Sequence, residues 1–175
     1  MNTKWASKFE LKPGKWVFVP TAESVAEGKK IKKAIEERWT PPPYYFHLRA
    51  GGHVEALRMH LKHTCFARID IQDFFGSINR TRVTRCLTSK FGYAVARAYA
   101  NASTVPAPKT TRTIVPFGFV QSQIVAALCL AESALGVYLD RLASDSAIAL
   151  TVYVDDIIVS CSDAVQLDNV VKGVA

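Results

Sequence analysis

The segment "TVYVDDIIVS", Thr151 to Ser160, constrains the fold more than any other stretch of the chain. Two runs of β-branched and aromatic residues flank the adjacent carboxylates Asp155 and Asp156, so the pattern predicts two short strands joined at the acidic pair. Asp is common in turns, yet Asp-Asp is a poor two-residue hairpin turn, where Asn-Gly or Asp-Gly is favoured. Like charges side by side also repel unless a cation compensates them. The pair reads either as a polar turn or as half of a metal site, and the second reading requires a carboxylate from elsewhere.

Asp70 is that carboxylate. It follows the alternating run "CFARI", which predicts a strand, and precedes the aromatics Phe74 and Phe75. Alone it reads as a turn or cap residue. Strands ending in Asp70 and Asp155 can lie side by side in one sheet, however, and bring their carboxylates together. Such a cluster suits divalent cations, because Mg²⁺ prefers a few carboxylates plus substrate phosphate oxygens. Two ions roughly 3.5–4 Å apart would activate an attacking hydroxyl and stabilise the leaving oxygen of a phosphoryl transfer.

Around these segments the chain alternates between helical and extended patterns. "KWVFVP" predicts a strand ended by Pro20, preceded by loop. Thr21 or Ser24 caps a helix to about Trp39, which Pro41-Pro42-Pro43 breaks. A helix is expected from His53 to Lys62, with Val54, Leu57, Met59 and Leu61 as its apolar candidates. Asn79 caps another, Tyr93 to Ala102 forms a third, and Gln121 to about Leu142 reads as one long helix. A last helix follows Ser162. The order predicts an α+β domain, an antiparallel sheet with helices on one face.

At 175 residues the chain can bury a full core. Its net charge of +7, with basic residues among aromatics in "GKKIKKAIEERW" and "YYFHLRAGGH", suits a phosphate-backbone surface. The four cysteines show no C-x-x-C spacing and read as buried thiols of a reducing compartment. No apolar run approaches a membrane span, and "MNTKWASKFE" has no apolar signal core, so a soluble cytoplasmic protein with no membrane partner is expected.

The segments "DIQDFFGSI", "VPFGFVQSQIVAAL" and "YVDDIIV", in this order, resemble the A, B and C motifs of reverse transcriptases, closest in flavour to the bacterial retron, group II intron and phage-defence branch. The resemblance runs from about Tyr44 to Val159. It implies the palm of a right-hand polymerase over residues 51–175, a reduced finger-like segment over residues 1–50, and no thumb. It implies RNA-directed DNA synthesis on an RNA template and DNA primer from dNTPs, with two Mg²⁺ ions, or Mn²⁺ in their place.

The resemblance further implies that Asp70 and Asp155 bind the metals, that Asp156 completes the motif, and that the Ile71 carbonyl helps hold one ion. Backbone amides near Asp73 and Phe74 would meet the triphosphate. Phe75, five positions after Asp70, matches the aromatic that excludes a 2′-hydroxyl, although a core role is the commoner one for such a Phe. Pro116, Gly118 and Ser122 match the loop and helix start beneath the nucleotide. Phe117 stands where many relatives carry Gln, and Gln123 where they carry Pro. Cations for the triphosphate are sought at Lys29, Lys30, Lys33 and Arg49, against the reading of the lysines as a solvated helix face. Tyr44, Tyr45 and Phe46 either stack on bases or pack in the core.

The family's lysine-bearing D motif, primer grip and thumb have no counterpart after Val159, and Lys172 lies too near the Asp pair to serve. The expectation is therefore either a fragment or an enzyme whose thumb a second chain supplies. The apolar stripe of Val165, Leu167, Val170, Val171 and Val174 would pack on that partner or on the chain's own sheet. Two further readings stay open: a template-independent or protein-primed polymerase on the same palm, and a catalytically silent nucleic-acid-binding fragment or scaffold.

Overall fold

The structure, a computed structural model, describes residues 3–174. The elements are β1 (Trp5–Lys12), β2 (Lys15–Pro20), α1 (Ala22–Glu36), a 3₁₀ turn (Phe46–Leu48), α2 (Gly52–Arg58), β3 (Cys65–Asp70), α3 (Arg80–Phe91) and α4 (Tyr93–Ala102). There follow β4 (Val105–Pro106), β5 (Thr113–Ile114), α5 (Ser122–Ala131), α6 (Ala134–Ala143), β6 (Ala149–Tyr153), β7 (Asp156–Cys161) and α7 (Ala164–Val174). The fold is mixed α and β, with three antiparallel sheets among the described residues. No single helix among them is long and apolar enough to cross a membrane. The chain divides into two compact units, residues 1–40 with 73–129 and residues 41–72 with 130–175.

In the first unit, β1 and β2 form a hairpin closed by Pro13-Gly14, with Gly14 at φ 82° and its amide held by Glu10 Oε1 at 2.7 Å. The loop expected before "KWVFVP" is thus a strand. Its residues are exposed from Ala6 onward, so no buried face imposes the alternation that would reveal it. Phe18 on β2 packs with Val105 and Phe119, flanked by Trp5, Trp16 and Ile114. Thr21 caps α1 by accepting from the Ser24 amide, and Asn79 caps α3 by accepting from the Arg82 amide at 2.9 Å. α3 packs against α4.

In the second unit, β7 lies between β3 and β6. Cys65, Ala67 and Ile69 of β3 pair with Cys161, Val159 and Ile157 of β7, which pack one face with apolar side chains. Phe66, Arg68 and Asp70 share the other face and are exposed. α7 packs on β3 and β7 with Val170 buried, so its stripe covers the chain's own sheet, while Val165 stays exposed.

Two expected helices are corrected. The run from Gln121 to Leu142 breaks at Glu132-Ser133, where the Ser133 hydroxyl accepts the Gly136 amide at 3.1 Å and starts α6. Continuous apolar and Ala content hides such a break, and the serine cap is its only local mark. α2 ends at Arg58, and Val54, Leu57, Met59 and Leu61 are all exposed; what this segment buries is Ala56 and His60.

His60 bridges two strands, with Nδ1 2.7 Å from Ser160 Oγ and Nε2 2.8 Å from Thr151 Oγ1. Burial, and then the charge of His63, lowers its pKa below the ordinary 6.5. The neutral ring is therefore the native form. Its contribution is complete above about pH 6.5 and is lost as pH falls through the lower folded value. Urea unfolding between about pH 8 and about pH 5 should show falling stability, and His60→Gln should remove part of that slope. An unchanged slope would contradict this assignment.

Candidate functional site

Strand register builds the acidic end of the second unit. Asp70 pairs directly with Asp156 across β3 and β7, and Tyr153 pairs with Asp156 across β6 and β7. The Ile71 amide donates to the Asp155 carbonyl at 3.0 Å, which extends the β3 pairing to the turn. Three carboxylates thus stem from one sheet end, but the neighbour of β3 is β7, which begins at Asp156, and not β6, the strand that leads into Asp155, as the sequence suggested. The turn itself is Val154-Asp155, not the Asp pair, because Asp156 already belongs to β7. Val154 takes φ 61° while Asp155 does not, the pattern of a II′ turn, which normally places Gly first. A β-branched residue there is strained by about 1–3 kcal/mol and persists only where its surroundings over-determine it.

Arg68 lies on the same face as Asp70, two residues earlier. Its Nε and Nη2 lie 2.9 and 2.8 Å from Asp156 Oδ1. The Arg68 pKa is raised first by that hydrogen bond and by the charge of Asp156, and further by Asp70 and Asp155. One cation therefore sits in the field of all three carboxylates. Among the described residues no three His, Cys, Asp or Glu side chains are gathered closely enough to hold an ion as placed. The donor set nevertheless fits a hard cation: it is oxygen-only, two of its members are directly opposed, and the compensating charge is a surface side chain whose relative exposure is 69%. Softer metals would find no thiolate or imidazole in this set.

Of the residues expected at a nucleotide, Arg49 lies in the second unit and Lys30, Asp73, Phe74, Phe75, Phe117, Gly118 and Ser122 lie in the first. Asp73 is exposed, at φ 47°, in a turn closed by its carbonyl accepting the Ser77 amide at 2.8 Å. Phe74 is buried, whereas Phe75 is half-buried, with its ring 5.8 Å from that of Phe117 in edge-to-face contact. Phe117 is exposed, and Lys15 Nζ stands 5.4 Å from its ring centroid. Gly118, at φ 115°, lets the Phe18 carbonyl of β2 approach, so the close neighbour in this structure is backbone. The Ser122 hydroxyl is buried and donates to the Pro116 carbonyl at 2.6 Å, clamping the loop.

Of the cations sought, Lys30 lies on the exposed side of α1, and Arg49 turns back to the Pro43 carbonyl and stacks over Phe46. Tyr44, Tyr45 and Phe46 are buried, which settles them as core; the Tyr44 hydroxyl donates to Asp140 at 2.6 Å, and burial pushes its pKa up. Sequence reasoning missed Arg68 and Lys15. Arg68 was findable, since residues two apart on a strand share a face. Lys15 meets Phe117 through pairing between segments distant in sequence and carries no local signal.

Residues 12–175 match the family model for reverse transcriptase (RNA-dependent DNA polymerase). No curated protein sequence matches the chain.

Proposed function

The chain belongs to the reverse transcriptase family, and from that premise we propose that it adds dNTPs to a DNA primer 3′-hydroxyl on an RNA template, with Asp70, Asp155 and Asp156 as its divalent-cation ligands. The observation that carries this reading is the pairing of Asp70 with Asp156 together with the bond from Ile71 to Asp155, which bring the three residues to one sheet end beside a strained turn. Bound Mg²⁺ or Mn²⁺, as two ions, would supply charge stabilisation to the attacking and leaving oxygens. Asp70 and Asp155 would hold the cations, with the Ile71 carbonyl as a further oxygen, and Asp156 would lend a charge that it shares with Arg68. We assign residues 51–175 to a palm and residues 1–50 to a finger-like segment, of the bacterial retron, intron or defence type.

In the same proposal Phe75 faces the sugar, and the amides around Asp73 and Phe74 face the triphosphate. Gly118 and Ser122 shape the loop beneath the nucleotide, and Phe117 offers its flat ring. Lys15, beside Phe117, becomes the favoured phosphate cation ahead of Lys30 and Arg49. Mn²⁺ titration followed by electron paramagnetic resonance tests the metal part. Wild type should bind, and Asp70→Asn or Asp155→Asn should weaken binding by at least about tenfold. No binding by wild type would overturn the proposal. Phe75→Ala tests the sugar contact: preference for dNTP over rNTP should fall by about 10²-fold, the scale on which a pocket rejects one extra hydroxyl. Unchanged preference would leave Phe75 as packing for Phe74 and Phe117.

A further inference from the structure

We propose that His47 is a positioning residue for the carboxylate-bearing turn, acting through Nδ1 as the acceptor of the Val154 amide. The inference rests on the metal-site reading above. Residues 44–47 run alongside β6: the Val152 amide donates to the Tyr44 carbonyl at 2.8 Å, and Tyr45 bridges Val152 in parallel. This brings His47 to the end of β6, where the ladder stops and Val154 turns away at φ 61°. The Val154 amide meets His47 Nδ1 at 3.1 Å.

The same nitrogen lies 3.5 Å from the Val152 carbonyl, and it cannot both accept from one group and donate to the other. The shorter contact is a normal hydrogen bond and the longer one is at the limit, so Nδ1 is the bare nitrogen and Nε2 carries the proton. Nε2 is buried with no partner among the described residues. A buried donor left unsatisfied costs about 1–3 kcal/mol. A phenyl ring would fill this space without that cost. What imidazole adds at this position is the Nδ1 acceptor, and the one group it serves well is the amide of the strained residue.

The ring is held to the task. It stacks on Tyr45, fully buried, at 5.8 Å and 30°, and meets the edge of Tyr153 at 6.0 Å. Tyr153 and Asp156 are the residues flanking the two-residue turn. His47 thus grips the turn at its strained position, and the adjacent carboxylate of Asp155 inherits the orientation. Losing the acceptor would let Val154 relax to negative φ and turn Asp155, whose carbonyl accepts the Ile71 amide, with it.

Two substitutions separate acceptor from ring. His47→Asn keeps an oxygen acceptor near the Nδ1 position but loses the stack; His47→Phe keeps the stack but loses the acceptor. Mn²⁺ affinity should stay within about threefold of wild type in His47→Asn and fall by about tenfold or more in His47→Phe, the range for groups that orient metal ligands. Thermal stability should run the other way, His47→Phe being the more stable of the two. Affinity equal to wild type in folded His47→Phe would overturn the inference while leaving the metal site intact; absence of Mn²⁺ binding by wild type would instead remove the site itself. A measurement on the wild type needs no variant: ¹⁵N shifts of His47 should show bare Nδ1 and protonated Nε2, and a protonated Nδ1 would overturn the proposal.

Discussion

Asp70→Asn and Asp155→Asn should each lower nucleotide addition by about 10³-fold without loss of fold. A bound cation provides several kilocalories of transition-state charge stabilisation, and each 1.36 kcal/mol is about tenfold in rate, so losing one anionic ligand reaches this range. The fold should tolerate both changes. Asn is nearly isosteric with Asp, Asp70 is exposed at a strand end, and Asp155 donates no side chain to the core. Stability should rise slightly in Asp70→Asn, because two like charges directly opposed in a ladder repel by a few tenths of a kcal/mol. Asp156→Asn should behave differently. It abolishes the ion pair with Arg68, and a smaller rate loss, about tenfold, is expected for a carboxylate that shares its charge with a guanidinium. Equal losses at all three positions would show that Asp156 is a full metal ligand.

The largest effect on stability is expected at Gly118. Its φ of 115° is closed to side chains, and a Cβ there would fall on the Phe18 carbonyl oxygen, well inside van der Waals contact. Backbone cannot swing aside as a side chain can. The clash would separate β2 from the loop at the Phe117 carbonyl, which accepts the Phe18 amide at 2.9 Å, and would shift Phe18 from Val105 and Phe119. Backbone strain of about 1–3 kcal/mol and overpacking of about 1–3 kcal/mol together give a loss of about 3 kcal/mol or more for Gly118→Ala. Gly14→Ala is the matched control. It also has positive φ, 82°, but nothing lies within 4 Å of its Cβ position, so only the strain of about 1 kcal/mol applies. Urea unfolding of the two variants should differ by about 2 kcal/mol, and similar losses would contradict the contact argument.

The acidic end was readable because its determinants are local: strand alternation sets each carboxylate at an element end, and spacing within a strand sets the face. Thr21 and Asn79 were readable for the same reason, each cap satisfying an amide three residues on. The turn was misplaced by one residue because Val154 takes a conformation its own propensity opposes. Such positions are held by tertiary contacts, here the His47 acceptor, and no local pattern announces them. β1 was missed since an exposed strand needs no alternation, and the break before α6 since apolar content continues across it. Phe75 remains two-sided in the same physical sense: its ring packs on Phe74 and Phe117 and is only half-buried, so packing and substrate contact are compatible.

The most direct test of the central claim is addition of a single nucleotide to a DNA primer annealed to an RNA template, with Mg²⁺ present. The account predicts that wild type adds the dNTP complementary to the template base in preference to the other three, and that Asp155→Asn adds it about 10³-fold more slowly at the same enzyme concentration. Equal addition of all four dNTPs, or the same product when the RNA is left out, would contradict it.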